Sequence, residues 1–450
     1  MTRIRKNTTG QQQATKFTIT TLGCKVNQYE SEAIAQQLKN TGNSQVHDTQ
    51  TADFCIINTC AVTQKASMQS RQAVRQAIRS NPSAQIIVTG CYAQTEPGVI
   101  NKIEGVHQII GHAYKHQISE LIRVADKKNR FASPTIKRSR FIGHNFEASP
   151  TAVFGHRTRP FLKIQDGCDS QCTYCIVPYA RGPGRSMPVE NVLKHIRQLN
   201  QAGYHEVILS GIHLGTYGKD LRPETDLFSL LQQIYECRPI HRVRLSSIEP
   251  LELTDDIIGL VAETDQFCQH FHIPLQSGDD NVLRKMNRPY TRSFFKDLIL
   301  KINGVAPEAA IGVDILVGFP GETESAFNKT YALVKDLPVT YLHVFPFSSR
   351  KGTPASKFPE KIPSTVIKSR SQKMRRLGEF KKRCFYNKFI GEKIDALMED
   401  KKETVSGCLK GVTSNYIPVL VTWDDRYKNT LVQVRIEALN TDNTVFGNIC

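Results

Sequence analysis

The sequence has little that would carry it to or through a membrane. Its opening stretch, Met1 to Thr15, is polar and reads as disordered, and no apolar segment of the secretory kind follows the initiator. No hydrophobic run reaches the roughly 20 residues a spanning helix needs. A cytoplasmic protein with no membrane partner is expected. Acidic side chains are also in short supply: 42 Asp and Glu face 59 Lys and Arg, a formal charge of +17. That excess favours a polyanionic partner, most simply nucleic acid, although solvated basic faces are common and charge alone does not decide it. There is one tryptophan, Trp423, and neither an internal repeat nor a long low-complexity tract, so repeat architectures are excluded.

Length and cysteine are what the chain does have. Its 450 residues suit two or three domains, and a 40% hydrophobic content suffices for packed cores. Twelve cysteines in a reducing compartment form no disulfide framework. Clustered ones are expected to bind metal and the rest to pack as small apolar residues. Cys168, Cys172 and Cys175 are spaced C-x3-C-x2-C. Three thiolates on so short a loop hold three corners of a cubane iron–sulfur cluster and leave the fourth iron open to a substrate or cofactor. This spacing resembles the signature of radical S-adenosylmethionine (SAM) enzymes, which cleave SAM reductively to a 5′-deoxyadenosyl radical. The competing reading is a structural zinc loop, but zinc sites usually close with a fourth Cys or His.

Residues 17 to about 122 alternate strand and helix patterns. Strands are expected at Phe17–Leu22, Phe54–Ile57 and Gln85–Val88, and helices at Glu30–Leu38 and Ala66–Ile78. This order argues for an open parallel sheet. A cysteine follows each strand: Cys24, Cys60 and Cys91. Ligands of open α/β sheets bind beyond the carboxyl ends of the strands, so these thiols can converge on a second metal site. Three unrelated buried cysteines are the alternative. Residues Ala125 to Pro150 read as a polar linker ending in a short strand.

A longer alternating series begins at Phe161, with strands expected at Phe161–Gln165, Glu206–Leu209, Arg242–Ser246, Phe271–Leu275, Gly312–Val317 and Tyr341–Phe345. Six βα units are too few to close an eight-stranded barrel, so a partial, laterally open (β/α)6 barrel is expected, with its site at the carboxyl ends of the strands. The cysteine loop follows the first of them. A basic helix over Thr365–Lys388 carries nine Lys and Arg against Glu379 alone, which favours phosphate contact over a merely solvated face. Beyond Gly391, short strands at Lys393–Met398, Tyr416–Thr422 and Leu431–Ile436 suggest a small nucleic-acid-binding barrel. Trp423 is expected to fill its core.

Thr21-Leu22-Gly23-Cys24-Lys25-Val26-Asn27-Gln28-Tyr29-Glu30, Asn58-Thr59-Cys60-Ala61-Val62-Thr63 and Thr89-Gly90-Cys91-Tyr92-Ala93-Gln94 resemble three motifs of the radical SAM methylthiotransferases. The resemblance extends over nearly the whole chain. It implies an α/β protein with a cluster-binding domain at residues 15–125, a linker at 126–153, a radical SAM core at 154–385 and a TRAM-like RNA-binding barrel at 386–450. Lys25-Val26-Asn27, Ala61-Val62-Thr63 and the Ile176–Gly182 stretch resemble the branch acting on N6-threonylcarbamoyladenosine beside the tRNA anticodon.

By resemblance, Cys24, Cys60 and Cys91 hold one [4Fe–4S] cluster, and Cys168, Cys172 and Cys175 hold the SAM-binding one. Both trios then count as catalytic. The implied reaction inserts sulfur at adenine C2 and methylates it, drawing on an electron-donor protein and a sulfur donor, neither identified. The implied partner is the tRNA anticodon stem-loop. Expected SAM contacts lie at strand ends: Ser210, Gly211, Ser247, Glu249, Gln276, Asp314, Gly318 and Phe345, the last in a Phe345–Pro354 motif whose aromatic and basic groups suit SAM or RNA. His213, His272 and His343 are expected to pack rather than catalyse, and Cys55, Cys237, Cys268, Cys384, Cys408 and Cys450 to be structural. The alternatives are the same chemistry on isopentenyladenosine and a non-catalytic iron–sulfur protein that binds RNA.

Overall fold

The computed structural model describes residues 14–124, 135–137, 146 and 157–450. The first unit is a six-stranded, all-parallel sheet. Its strands are β1 (Lys16–Thr21), β2 (Ser44–Gln45), β3 (Phe54–Thr59), β4 (Gln85–Gly90), β5 (Gln108–Ile110) and β6 (Thr135–Lys137), in the order β2-β1-β3-β4-β5-β6. β3 and β4 are buried along their whole length, as expected of central parallel strands covered on both faces. Helix α1 (Lys25–Asn40) follows β1, and α2 (Gln64–Ser80) follows β3. Thr63 caps α2 by accepting a hydrogen bond from Ala66 N at 3.0 Å. A short helix, α3 (Cys91–Thr95), starts at the end of β4.

Residues 1–13 of the polar opening stretch lie outside the described residues. So does the expected end of the linker with its strand; β6 lies midway along the linker and extends the first sheet.

The barrel of the central unit is built from six strands: β7 (Phe161–Lys163), β8 (Glu206–Ser210), β9 (Arg242–Leu245), β10 (His270–Gln276), β11 (Ala310–Val317) and β12 (Tyr341–Pro346). They form two parallel half-sheets, β9-β8-β7 and β10-β11-β12, linked by a parallel bridge between Val243 and Phe267. A partial barrel results, open between β7 and β12. Helices such as Val189–Gln201 and Leu227–Cys237 cover its outside. After the cysteine loop comes one short helix, α4 (Val177–Arg181).

The basic segment is helix α5 (Ser364–Asn387), packed on β12. Gly378 permits that approach, because a Cβ there would lie 3.1 Å from Leu342 Cβ. The tail closes a five-stranded barrel from β13 (Lys393–Lys402), β14 (Leu409–Thr413), β15 (Pro418–Val421), β16 (Leu431–Leu439) and β17 (Val445–Ile449). This barrel sits beneath the amino ends of the central strands. Arg244 donates to Ser414 O and Thr413 O at 3.0 and 3.1 Å, Gln269 N to Ser414 Oγ at 3.1 Å, and Arg242 to Asp395 O at 3.0 Å. The Tyr416 ring enters from below and lies 4.5 Å from the His270 ring.

Two expectations need correction. Cys237, Cys384 and Cys450 are exposed and pack against no core, whereas Cys55 and Cys268 are buried. The basic helix is only partly free for phosphates. Arg370 is buried against Glu322 and Glu324, Lys381 donates to Leu337 O at 2.6 Å, and Arg383 to Asn440 O at 2.7 Å. The buried Glu322 carboxylate takes one of these cations, and backbone carbonyls of the central unit and the tail take the other two as additional donors.

Candidate active site

Cys24, Cys60 and Cys91 follow β1, β3 and β4, which are direct neighbours in the sheet. Gly90, the last residue of β4, precedes Cys91 at φ +96°, and a Cβ there would come within 2.3 Å of Thr59 O. Glycine is therefore what lets the turn before Cys91 close over the neighbouring strand. Gly23 packs on the next thiol, its notional Cβ 3.0 Å from Cys60 Sγ. Burial pushes the Cys91 thiol up to about 12 and raises Cys60, with neighbouring thiols of the trio adding to both. Metal binding must therefore expel protons from these thiols.

Cys168, Cys172 and Cys175 lie on the loop between Gly167 and α4. The loop is pinned by Cys168 N to Gly182 O at 3.0 Å, Thr173 N to Met286 O at 3.0 Å and Asn287 Nδ2 to Gln171 O at 3.0 Å. Three donors address the sulfurs: His213 Nδ1 lies 3.4 Å from Cys168 Sγ, Arg288 Nη1 3.4 Å from Cys172 Sγ, and Val177 N 3.4 Å from Cys175 Sγ. Glu252 holds the other His213 nitrogen at 2.7 Å. Burial works against a charge on His213, but the bonds to Cys168 and Glu252 carry its pKa up to about 10. Burial also pushes the Cys175 thiol up to about 12. Three thiols framed by N–H donors fit a cluster whose sulfurs gain negative charge.

The two trios are joined by one buried polar knot. Helix α3, which begins with Cys91, packs against α4, and Ile176 and Ala180 belong to the same apolar core as Cys91 and Tyr92. Arg181 donates to Glu30 Oε1 at 2.9 Å, Asp166 Oδ1 at 2.8 Å and Asn27 Oδ1 at 2.6 Å. Lys115 and Lys163 complete the neutralisation of Glu30. Although burial opposes ionisation, Arg181, Lys115 and Lys163 hold Glu30 well below the usual carboxylate range. A second joint brings Arg350, of the Phe345–Pro354 motif, to Ser67 Oγ at 2.9 Å and Glu96 Oε1 at 3.3 Å. That arginine docks the first unit rather than facing outward.

The expected SAM contacts fall into two groups. Gly211, Ser247, Glu249, Gln276 and Asp314 sit at partly open positions on or just past β8, β9, β10 and β11. Ile212 N and His213 N both donate to Gln165 Oε1, at 3.0 and 2.8 Å, which fixes the turn at Gly211. Ser247 Oγ lies 3.2 Å from His272 Nδ1, while His272 Nε2 and His343 Nδ1 lie 2.7 and 3.2 Å from Asp314 Oδ1. Burial would raise Asp314, but these two imidazoles hold it well below the usual range. Glu249 pairs with Arg288, and burial raises its carboxyl. In the second group, Ser210 turns its hydroxyl to Leu162 O at 3.3 Å and Gly318 abuts Ile367 of α5. Phe345 is exposed on β12.

Sequence reasoning had no means of finding Arg288, Glu252, Lys115 or Lys163, because each acts on a partner distant in the chain and none lies in a spaced motif.

Residues 16–111 match the family described as uncharacterized protein family UPF0004, and residues 162–334 match the radical SAM superfamily. The chain is 38% identical over 420 residues to the threonylcarbamoyladenosine tRNA methylthiotransferase MtaB of Bacillus subtilis (strain 168), covering 92% of each. The chain belongs to the radical SAM methylthiotransferase family. It is also similar to the MtaB of Aquifex aeolicus (strain VF5), at 34% identity over 90% of this chain and 96% of that one. A methylthiotransferase relative of another name, the tRNA-2-methylthio-N(6)-dimethylallyladenosine synthase of Clostridium tetani (strain Massachusetts / E88), is 35% identical over 88% of each. Among solved structures, the radical SAM methyltransferase TsrM from Kitasatospora setae shares the fold with TM-score 0.54 and 15% identity, over 76% of this chain and 74% of that one.

Proposed function

We propose that this protein is a tRNA methylthiotransferase that converts N6-threonylcarbamoyladenosine at position 37, beside the anticodon, to its 2-methylthio derivative. The observation that carries the reading is the packing of the Cys91 helix against the helix following Cys175. Two metal centres built there would act on one adenine held at their shared boundary. Cys24, Cys60 and Cys91 would hold one [4Fe–4S] cluster, and Cys168, Cys172 and Cys175 the other, with SAM beside it. When bound, these groups supply the radical, sulfur and methyl chemistry that no side chain provides at an aromatic C–H bond.

The chain's own residues do the rest. Arg181, Glu30 and Asp166 fix one trio against the other. His213, Arg288 and Val177 N orient the thiols of the central loop. Gly211, Ser247, Glu249, Gln276 and Asp314 would meet the cofactor with side chain or backbone, Ser210 and Gly318 with backbone alone, and Phe345 with its ring. The tail barrel and Tyr416 would cover the site from below, beneath His270. Exposed lysines of α5 and of the tail would take the phosphates of the anticodon stem-loop. The reaction also needs an electron donor and a sulfur donor. Among the described residues no helix is long and apolar enough to cross a membrane.

Nucleoside mass spectrometry of tRNA from a deletion strain tests this. Loss of the methylthio-threonylcarbamoyl nucleoside alone supports it. Loss of the methylthio-isopentenyl nucleoside moves the activity to the other substrate, and an unchanged profile rejects the enzyme.

A further inference from the structure

A cavity of about 780 Å³ opens beside the free edge of β12, between helix α5 and the tail barrel; Arg159, His343, Phe345, Lys382, Lys410 and Tyr416 are among its walls. Its walls carry Arg159, Arg375, Lys382 and Lys410 against Glu379, and the acids nearest its inner side are already taken. Glu206 takes Arg244 at 2.8 Å, and Asp314 is shared by two imidazoles. Arg159 gives one nitrogen to Glu399 at 2.8 Å, but its Nε is buried with no acceptor. Lys25, next to Cys24, lies within electrostatic reach of Arg159, Arg244 and Asp314 and has no ion-pair partner among the described residues. Arg159 therefore brings the cavity an unmet guanidinium donor, with a second cation, Lys25, within electrostatic reach of it. Such a donor is costly to leave unpaired and suits a planar anion.

Two anions reach a tRNA-modifying site: backbone phosphates and a carboxylate on the modified base. Lys382 and Lys410 come from the surface helix and the tail, where phosphates pass. Arg159 is largely covered, its side chain only 18% exposed, and shares its surroundings with the lysine beside Cys24. Resting on the functional reading above, we propose that Arg159 and Lys25 bind the threonine carboxylate of the N6 substituent and so select threonylcarbamoyladenosine over adenines with an apolar N6 group.

The test uses reconstituted full-length protein and anticodon stem-loop RNAs carrying threonylcarbamoyladenosine, its methyl ester, dimethylallyladenosine or adenosine. Wild type is expected to bind the free acid at least about tenfold more tightly than the ester. Arg159→Gln and Lys25→Gln should each bring that preference within about twofold while leaving the adenosine RNA unaffected. Glu399→Gln breaks the same ion pair but keeps the guanidinium, so it should retain the preference. Equal weakening of all four RNAs by Arg159→Gln would mark a phosphate contact and overturn the assignment. A preference that survives both cation variants would also overturn it, with the functional reading intact. A wild-type preference for dimethylallyl RNA would sink both.

Discussion

Arg181 donates from Nη1 to Glu30 Oε1 at 2.9 Å. The arginine ends the helix that follows Cys175, and the glutamate lies on the helix that starts after Cys24. A fully buried guanidinium thus sets how the two thiol trios face each other, with Asp166 and Asn27 fixing its other edges. Apolar packing tolerates sliding, whereas a buried network in which both terminal nitrogens of Arg181 are bonded to fixed acceptors restricts the geometry far more.

Replacing Arg181 by methionine should leave Glu30 and Asp166 undercompensated and lower the unfolding free energy by roughly 3–5 kcal/mol. Denaturant melts read this directly. Arg181→Met combined with Glu30→Gln should cost clearly less than the two single changes added together, and strict additivity would show that the pair is not coupled.

Iron content separates the two sites. Anaerobically reconstituted protein should hold about eight irons per chain, and alanine replacement of either trio should leave about four. Full iron retention after replacing Cys24, Cys60 and Cys91 would remove the first cluster from the scheme.

His213→Leu takes a donor from Cys168 and strands Glu252. Loss of such a supporting partner should weaken iron retention roughly 10- to 100-fold, measured as faster loss of the cluster chromophore to a chelator. Glu252→Gln should give a smaller effect in the same direction.

Glu322 links the turn after β11 to the basic helix, accepting from Gly318 N at 2.8 Å and Arg370 at 2.9 Å. Burial pushes its carboxyl up to about 7 in spite of both donors, and Glu324 adds to the rise. In the unfolded chain it titrates near about 4.3. Between those values the folded protein holds a proton that the unfolded one lacks. The stabilisation is therefore complete below the lower value and is lost as pH climbs through the upper one. Glu322→Gln should flatten the decline in melting temperature between about pH 5 and about pH 7.5.

Long periodic segments were legible in the sequence: the helices at Val189–Gln201 and Leu227–Cys237 have the bounds that periodicity predicts, and all six barrel strands were anticipated. The strands at Gln108–Ile110, Leu409–Thr413 and Val445–Ile449 were not. The first is three residues long, and the other two close a small barrel whose pairing, more than local propensity, makes them strands. The cysteines announced themselves by spacing or by following strands. What holds them did not: Arg181 meets Glu30 across 151 positions, and no local pattern encodes such a meeting. Tyr416 belonged to an expected strand, yet it sits at φ +66° in the turn before β15, aimed into the barrel.

That turn has a consequence for anyone shortening the protein. On the function proposed above, the tail would serve as a cover for the site as well as a handhold for RNA. Its Tyr416 ring packs beneath His270, and Arg244 ties the same turn to the wall of the central unit. A chain cut after helix α5 would lose its grip on tRNA and would also leak, letting solvent rise from underneath toward Asp314 and quench a reaction that has to stay dry.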